Sequence, residues 1–296
     1  MGLGEVLFDL LPSGPRLGGA PANFAYTASR LGISAALVSA VGRDAMGKKA
    51  RRLLEEKGLA LFLAETDCPT GHVNVSFREG GIPSYTFAAD PAYEAIPYTA
   101  ELAELAGKAD LCCFGTLAQY GPLTRETARR FLHEMRPESR RVFDVNLRGH
   151  FYSREGIEEL LALAGAVKCN EEELPLLCGF AGLGDASPEA YRAYLAARGI
   201  SCFIYTEGAK GSTVFLEGER SFLAAPKEQA ADTVGAGDSF TAAFFAGLLK
   251  GLSLRQAHAL AAYVSAYVCT REGGMPDFPK DAPCWAEEIQ RKEEWL

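Results

Sequence analysis

The residues best suited to chemistry lie in the segment 232–240, which reads Asp-Thr-Val-Gly-Ala-Gly-Asp-Ser-Phe. Within it, Gly235-Ala236-Gly237 comes directly before an apolar pattern of helical period. Small residues let main-chain N–H groups approach an anion closely, and the start of a helix adds partial positive charge. Asp238 follows as a candidate base, so the segment suits phosphoryl transfer to a hydroxyl group. An Asp-rich turn before a buried helix is the alternative that this segment alone leaves open.

A second glycine-rich segment, 18–23, reads Gly-Gly-Ala-Pro-Ala-Asn and also precedes a helical pattern. Pro21 suits the first helical position, and Gly32 follows the end of the pattern. The amide of Asn23 can donate to and accept from a hydroxyl group, which makes it a candidate ligand for an alcohol. A tight turn with an incidental Asn is the alternative.

Short apolar runs alternate with helical patterns from about residue 100 onward, which predicts a parallel sheet covered by helices on both faces. The predicted strands are 110–114, 141–144, 166–169 and 202–206, with helices near 124–135, 153–164 and 187–198. Ligands of such sheets bind beyond the carboxyl ends of the strands. Polar groups follow three of these strands, namely Asp144, Asn146 and Arg148; Asn170, Glu171, Glu172 and Glu173; and Thr206, Gly208 and Gly211.

The C-terminal part of the chain predicts an edge hairpin and two long helices. Residues 211–223 form the hairpin around a Glu-Gly-Glu turn, and the first helix covers about 236–250. The second begins with a capping box at Ser253 and Gln256, and its apolar face extends to Gly273-Gly274.

Residues 70–90 interrupt the alternation with two runs, 70–77 and 84–88, placed around a Glu-Gly-Gly turn at 79–81. Their apolar and polar side chains alternate, which predicts a small β-structure that projects from the main domain together with residues 9–17. Such an insertion can act as a lid over a site. A plain surface hairpin is the alternative.

Composition narrows the class of protein. The chain has 296 residues and a net charge of −8, which disfavours nucleic acid as the main partner. None of its eight cysteines forms a Cys-x-x-Cys pair, and the sequence predicts neither a membrane span nor a signal peptide, so we expect a cytoplasmic protein.

The segment 42–49 nearly matches the P-loop motif. Lys49 stands where the motif requires Ser or Thr, so we interpret the segment as structural.

Together these segments resemble the PfkB (ribokinase-like) family of ATP-dependent sugar kinases, and its fructokinases in particular. The resemblance extends from Gly4 to about Pro276, and segments 18–23 and 232–240 are similar to the N-terminal and C-terminal signatures of the family. It implies one domain over residues 1–296, an α/β three-layer αβα sandwich with a central, mostly parallel sheet. A small β-sheet lid is implied around 9–17 and 70–95. Because the chain begins close to Gly4-Glu5, we expect a short first strand.

The resemblance also implies roles for individual residues. Asp238 would be the catalytic base, the amides of Gly235, Ala236 and Gly237 the anion hole, and Arg148 a second source of positive charge. Because a helix start favours the charged carboxylate, we expect a lowered pKa for Asp238. The implied sugar ligands are Asp9, Gly18, Gly19, Asn23 and Phe87, and the implied ATP ligands are Asn170, Thr206, Gly208 and Gly211. Mg²⁺ would be bound indirectly by Asn170 and Glu173. A monovalent cation such as K⁺ would be bound by Asp232 and the backbone of 268–274.

The substrate implied by the resemblance is D-fructose, which would be converted to fructose 6-phosphate. Segments 4–12 and 143–148, and His150-Phe151-Tyr152 after them, are similar to fructokinases. The lid segment 84–87 lacks the Arg that many fructokinases carry nearby. Ribose, a nucleoside and 2-keto-3-deoxygluconate therefore stay open as alternative acceptors, as does a non-catalytic sugar-binding protein. The expected partners are a small sugar and ATP, with a homodimer formed through the lid.

Overall fold

The strands of the protein form two sheets. The structure, a computed structural model, describes residues 1–77, 83–226 and 231–291, with the backbone alone at residues 75–77 and 83–85. In chain order the strands are β1 (Gly2–Leu3), β2 (Leu7–Leu11), β3 (Gly14–Gly18), β4 (Ala36–Gly42), β5 (Ala60–Thr66), β6 (Gly71–Phe77), β7 (Pro83–Phe87), β8 (Leu111–Phe114), β9 (Arg140–Asp144), β10 (Ala166–Asn170), β11 (Cys202–Thr206), β12 (Ser212–Leu216) and β13 (Glu219–Leu223).

The large sheet has nine strands in the order β13-β12-β11-β10-β9-β8-β1-β4-β5. Its strands are parallel from β5 to β11, and the hairpin β12–β13 adds an antiparallel edge. The mostly parallel sheet and its edge hairpin are therefore confirmed. The first strand, β1, has only two residues, as expected. The strands β4 and β5 were not predicted, and they extend the sheet on the other side of β1.

Helices cover both faces of the large sheet. They are α1 (Ala20–Arg30), α2 (Ala45–Glu56), α3 (Ala100–Lys108), α4 (Pro122–Glu134), α5 (Arg154–Leu163), α6 (Leu174–Phe180), α7 (Pro188–Ala196), α8 (Ala236–Leu249), α9 (Leu254–Cys269) and α10 (Trp285–Arg291). Neighbouring residues of one strand enter different cores, because side chains alternate across a sheet. Phe203 of β11 packs with α7, whereas Ile204 packs with α8 and α9. This arrangement is the three-layer αβα sandwich.

A second, small sheet has the order β3-β2-β6-β7, and it joins residues 7–18 to residues 71–87. The two predicted runs of the small β-structure are thus confirmed as β6 and β7, while the turn proposed at 79–81 lies outside the described residues. Asp9, Val73 and Phe87 are aligned across β2, β6 and β7. Aligned residues share a face of the sheet, so Asp9 and Phe87 lie on the same side.

The segment that nearly spells a P-loop has a structural role. Asp44 caps α2 by accepting from the Gly47 amide at 2.7 Å, and it also accepts from the Thr70 hydroxyl at 2.7 Å. The predicted extent of the last long helix was wrong, because α9 ends at Cys269 and not at Gly273-Gly274. The Cys269 carbonyl accepts from the Ala231 and Asp232 amides, so the end of α9 positions Asp232, a residue of the site described below.

None of the helices in the described part of the chain is long and apolar enough to cross a membrane. All eight cysteines are free thiols, and five of them are buried. Burial raises the pKa of the Cys112 and Cys202 thiols to about 12, so these side chains pack as small apolar groups.

His258 is the fully buried polar link between α9 and the edge hairpin. One ring nitrogen lies 2.8 Å from the Ser212 hydroxyl and the other lies 2.8 Å from the Ser221 hydroxyl. Burial lowers the pKa of His258 to about 4, with a smaller contribution from Arg255. The neutral ring therefore matches a site in which both nitrogens already have hydroxyl partners.

This buried ring makes stability depend on pH. The pKa of His258 is about 4 in the folded protein and about 6.5 in an unfolded chain, so the unfolded state gains the proton first as the pH falls. We expect the free energy of unfolding to fall by about 2 kcal/mol between pH 7.5 and pH 5 from this group. His258→Gln keeps hydrogen-bonding groups without titrating, and urea unfolding should show a shallower loss in this variant. Equal losses in both proteins would contradict this assignment.

Candidate active site

The start of α8 presents main-chain amides, and the turn that leads into it requires glycine at position 235. Gly235, the residue before the helix, has a left-handed φ of 76°, and a Cβ atom there would lie 2.5 Å from the Gly274 Cα. A side chain at position 235 is therefore excluded by conformation and by space. The amides of Gly235 and Gly237 lie at this helix start beside Asp238, as an anion site requires. The Ala236 amide, also predicted for the anion hole, donates to the Thr233 carbonyl at 3.2 Å.

Asn23 joins the two glycine-rich segments. Its side-chain amide nitrogen donates to the Asp238 Oδ2 at 2.8 Å, and the residue is 3% exposed. Its Oδ1 is buried without a hydrogen-bond partner among the described residues. The turn before α1 brings it there, because Gly19 has a φ of 114° and a Cβ atom at this position would lie 2.4 Å from the Glu5 carbonyl oxygen. The start of α1 thus meets the start of α8 at the candidate base.

The expected pKa of Asp238 was wrong in direction. Burial raises the pKa of this carboxyl to about 6, and the charge of Asp144 adds to the increase. The Asn23 hydrogen bond, Lys168 and Arg148 act in the opposite direction and are weaker together. Removal from water therefore outweighs the helix start at this position. A base with a pKa near neutrality is better matched to proton transfer at neutral pH.

Glu5 is a buried carboxyl of the site, and nothing in the residues around it, Gly4 and Val6, indicated this role. It is 3% exposed, and its Oε1 accepts from the Ala20 amide at 3.3 Å. Burial raises its pKa to about 7, and the nearby Asp238 adds to the increase. The interaction with Ala20 fixes the turn that carries Gly19.

Arg148 and Asp9 lie on the open side of the site. Arg148 is exposed, and its positive charge opposes the increases in the pKa of Glu5, Asp9 and Asp238. Asp9 is half-buried, and burial is the main cause of its raised pKa. A Cβ atom on Gly18 would lie 3.4 Å from the Asp9 Oδ2, so this glycine adjoins the carboxylate. The structure therefore brings these predicted residues toward one cluster around Asp238.

Asn170 and Glu173 support the loops that follow β9 and β10. The two Glu173 oxygens accept from the Leu147 and Asn170 amides, each at 2.9 Å. Asn170 Oδ1 in turn accepts from the Glu172 and Glu173 amides at 2.9 Å. Glu173 is therefore occupied by backbone donors, which fits an indirect role in metal binding.

The predicted nucleotide-binding residues lie next to this pair. Thr206 is aligned with Asn170 across β10 and β11. Gly208 and Gly211 follow with φ values of 51° and 126°, and a Cβ atom on Gly211 would lie 2.2 Å from the Leu223 carbonyl oxygen. These glycines are required by the backbone, and their turn lies at the carboxyl end of β11.

Asp232 lies at the end of α9. Its Oδ2 accepts from the Gly273 amide at 3.0 Å and pairs with Arg16 at 3.4 Å, while its Oδ1 accepts from the Val234 amide at 3.0 Å. The predicted proximity of Asp232 to the backbone of 268–274 is thus observed. Over the described part of the chain, no group of three or more His, Cys, Asp or Glu side chains is arranged to hold a metal ion.

Phe87 belongs to an aromatic contact between the small sheet and the loop after β9. Its ring lies 4.9 Å from the ring of Phe151, which stacks on His150 at 4.3 Å and meets Tyr120 at 5.3 Å. Phe87 therefore connects the small sheet to the segment that also carries Arg148. The sugar-binding role of Phe87 stays a prediction.

The fold and this cluster together define a sugar kinase of the ribokinase-like type. Residues 15–281 match the pfkB family carbohydrate kinases, and the chain belongs to this family. The resemblance predicted from the two glycine-rich signatures is confirmed.

The two relatives found by sequence carry names with different acceptors. The chain is 29% identical over 308 residues to a fructokinase of Klebsiella pneumoniae, covering 98% of this chain and 97% of the relative. It is also 29% identical to an ATP-dependent 6-phosphofructokinase of Thermoanaerobacterium thermosaccharolyticum, covering 88% and 81%. An uncharacterized sugar kinase of Pyrococcus horikoshii, solved in complex with ATP, has a TM-score of 0.79 at 27% identity, covering 97% and 98% of the two chains.

The pKa of Asp238 predicts the acid side of the pH–rate profile. We expect kcat/KM to decline below about pH 6, because the base must be ionised to accept a proton. Asn23→Ala removes a hydrogen bond to the charged carboxylate, so the pKa should rise and the decline should start about one pH unit higher. Ser29→Ala, at the other end of α1, is the matched control. An unshifted profile in Asn23→Ala would show that this hydrogen bond does not set the pKa.

Proposed function

We propose that this sugar kinase transfers the γ-phosphate of ATP to the 6-hydroxyl of D-fructose, forming fructose 6-phosphate and ADP. The observation that supports it best is the half-buried Asp238 carboxylate, which adjoins the amides of residues 235–237 and accepts from Asn23 at 2.8 Å. The fructokinase relative supports fructose as the acceptor. The 6-phosphofructokinase relative makes fructose 6-phosphate the second acceptor to test.

In the proposed reaction, Asp238 accepts the proton of the 6-hydroxyl while the hydroxyl oxygen bonds to the γ-phosphorus. The bond from that phosphorus to the ADP oxygen breaks at the same time. A pKa of about 6 keeps Asp238 ionised at neutral pH. The amides of Gly235 and Gly237 would face the charge on the transferring group as fixed donors, and the guanidinium of the exposed Arg148 would add positive charge from the open side of the site.

The nucleotide is assigned to the side of the cluster formed by Asn170, Thr206, Gly208 and Gly211. Mg²⁺, when bound, would neutralise phosphate charge there, and Glu173 would reach it through water because its oxygens already accept from amides. A monovalent cation such as K⁺ is assigned to the neighbourhood of Asp232 and the backbone of 268–274, because hard cations prefer oxygen ligands.

The sugar is assigned to the side of the cluster formed by Asp9, Gly18, Gly19, Asn23 and Phe87. The small sheet would then act as a lid, and its outer strands β3 and β7 offer edges that can pair with a second copy. A homodimer through this sheet stays a prediction. A cytoplasmic location is also proposed, and the eight free thiols support it.

The acceptor can be identified with a panel of D-fructose, fructose 6-phosphate, D-ribose, adenosine and 2-keto-3-deoxygluconate, with ADP formation as the readout. We expect kcat/KM for D-fructose to exceed the others by about tenfold or more, which corresponds to about 1.4 kcal/mol of discrimination. A different preferred acceptor would overturn the assignment to fructose. Sugar binding without phosphorylation of any member would favour a non-catalytic sugar-binding protein.

Truncation of Phe87 tests the role of the small sheet. If this ring helps close the sheet over the sugar, Phe87→Ala should raise the KM for the sugar about tenfold and the KM for ATP less than about twofold, the loss of one aromatic contact being about 1.4 kcal/mol. Phe222→Ala removes an exposed ring from the edge strand β13 and serves as the control. Equal changes in both KM values would argue against a lid over the sugar.

A further inference from the structure

A buried lysine lies beneath the first turn of α8. Lys168 is in the middle of β10 and is 5% exposed. Its neighbours Val167 and Cys169 enter the core on the opposite face, while Ala166 packs with α8 and α9. Alternation along the strand therefore turns Lys168 toward α8. The sequence offered a weak signal for it, since it is the one charged residue in an otherwise apolar run.

Asp144 holds the lysine in place. The two residues are aligned across β9 and β10, and the Lys168 Nζ lies 3.1 Å from the Asp144 Oδ1. The Thr241 hydroxyl lies 3.3 Å from the Asp144 Oδ2 and 2.9 Å from the Gly237 carbonyl oxygen. The ion pair is thereby tied to the helix turn that carries the anion site.

The ammonium group has more donors than the protein satisfies. A lysine ammonium has three N–H donors. Among the described residues, Asp144 is the one hydrogen-bond partner of the Lys168 ammonium. A Cβ atom on Gly237 would lie 2.9 Å from the Lys168 Nζ, so the ammonium reaches the backbone of the anion site itself. Two donors are therefore left next to the place where the transferring phosphoryl group would sit.

The charge of the lysine is well maintained. Burial alone would lower its pKa, but the carboxylates of Asp144, Glu173 and Asp238 more than offset this effect, and the pKa is raised. Lys168 therefore keeps its proton at the pH of the reaction, while Asp238 accepts the proton of the acceptor hydroxyl.

We propose that Lys168 is a further catalytic residue, whose ammonium donates to the γ-phosphoryl oxygens beside the Gly237 amide, with Asp144 as its positioning residue. This inference rests on the phosphoryl transfer proposed above. The oxygen–phosphorus bond to the sugar forms and the bond to ADP breaks, and Lys168 contributes charge without exchanging its proton. Negative charge on the transferring group would thus meet main-chain amides and a fixed cation from the protein interior.

The test must separate this role from simple charge balance in the core. Lys168→Met leaves Asp144 buried and unpaired, which can itself unfold the protein. The double variant Lys168→Met with Asp144→Asn removes both charges and keeps an acceptor for Thr241. We expect this double variant to melt near the wild-type temperature and to lose about 10²–10³-fold in kcat on the best acceptor. Recovery of kcat to within about threefold of wild type would overturn the proposal.

A binding measurement gives a second readout that does not need turnover. A cation aimed at the γ-phosphoryl group should favour AMP-PNP, a non-hydrolysable ATP analogue, over ADP. We expect calorimetry with Mg²⁺ present to show weaker AMP-PNP binding in the double variant, with ADP binding unchanged. Lys250→Met removes a half-buried lysine that donates to the Pro283 carbonyl at 2.6 Å, and it is the control.

The two proposals can fail separately. If the wild-type protein phosphorylates none of the sugars, the proposed function fails, yet the AMP-PNP comparison still tests Lys168. If the wild-type protein is an active kinase and the double variant keeps its preference for AMP-PNP over ADP, the role of Lys168 fails alone.

Discussion

The hydrogen bond between the Asn23 amide and the Asp238 carboxylate connects the two halves of the site. It joins the start of α1, which follows the turn at Gly19, to the start of α8, which follows Gly235. Both helix starts depend on glycines whose conformation or surroundings exclude a side chain. One partly buried contact of 2.8 Å therefore sets the position of the assigned sugar side relative to the anion site. A shift of either helix would separate Asp238 from the acceptor hydroxyl that we propose it orients.

Burial of charge is the second constraint. Glu5, Asp144 and Asp238 are carboxyls withdrawn from water within one cluster, and Lys168 and Arg148 are the cations that face them. An uncompensated buried charge is costly, so the site holds a balance between these groups. This balance places the pKa of Asp238 at about 6 and keeps the lysine protonated. In the proposed reaction, the same arrangement would supply both a base that is ionised at neutral pH and positive charge next to the transferring phosphoryl group.

Much of this architecture could be predicted from the sequence, because it depends on local patterns. Strands that end in polar residues, glycines before helices and the runs of the small sheet all have local signatures. The strands β4 and β5 were missed, because the alternation of strands and helices was traced only from about residue 100 onward and their runs, 36–42 and 60–66, lie before it. The end of α9 was misplaced because Gly273-Gly274 was taken as the stop signal, whereas the helix ends at Cys269, whose carbonyl accepts from the Ala231 and Asp232 amides.

The pKa values and ion pairs of the site were harder to predict from the sequence than the residues that form it. The expected low pKa of Asp238 followed from its place at a helix start, whereas its actual increase depends on depth of burial and on Asp144, which comes from another strand. Lys168 gains its importance only when β9 and β10 are in register and Asp144 lies opposite. Long-range pairing of this kind leaves little trace in a single sequence.

The most direct measurement of the central claim is the turnover of Asp238→Asn with ATP and the preferred sugar. The account predicts that this variant folds with a normal melting temperature, still binds ATP, and loses about 10²–10⁴-fold in kcat, because a positioned base is removed while the amides remain. Turnover within a few-fold of wild type would contradict the role of Asp238 and, with it, the assignment of the site.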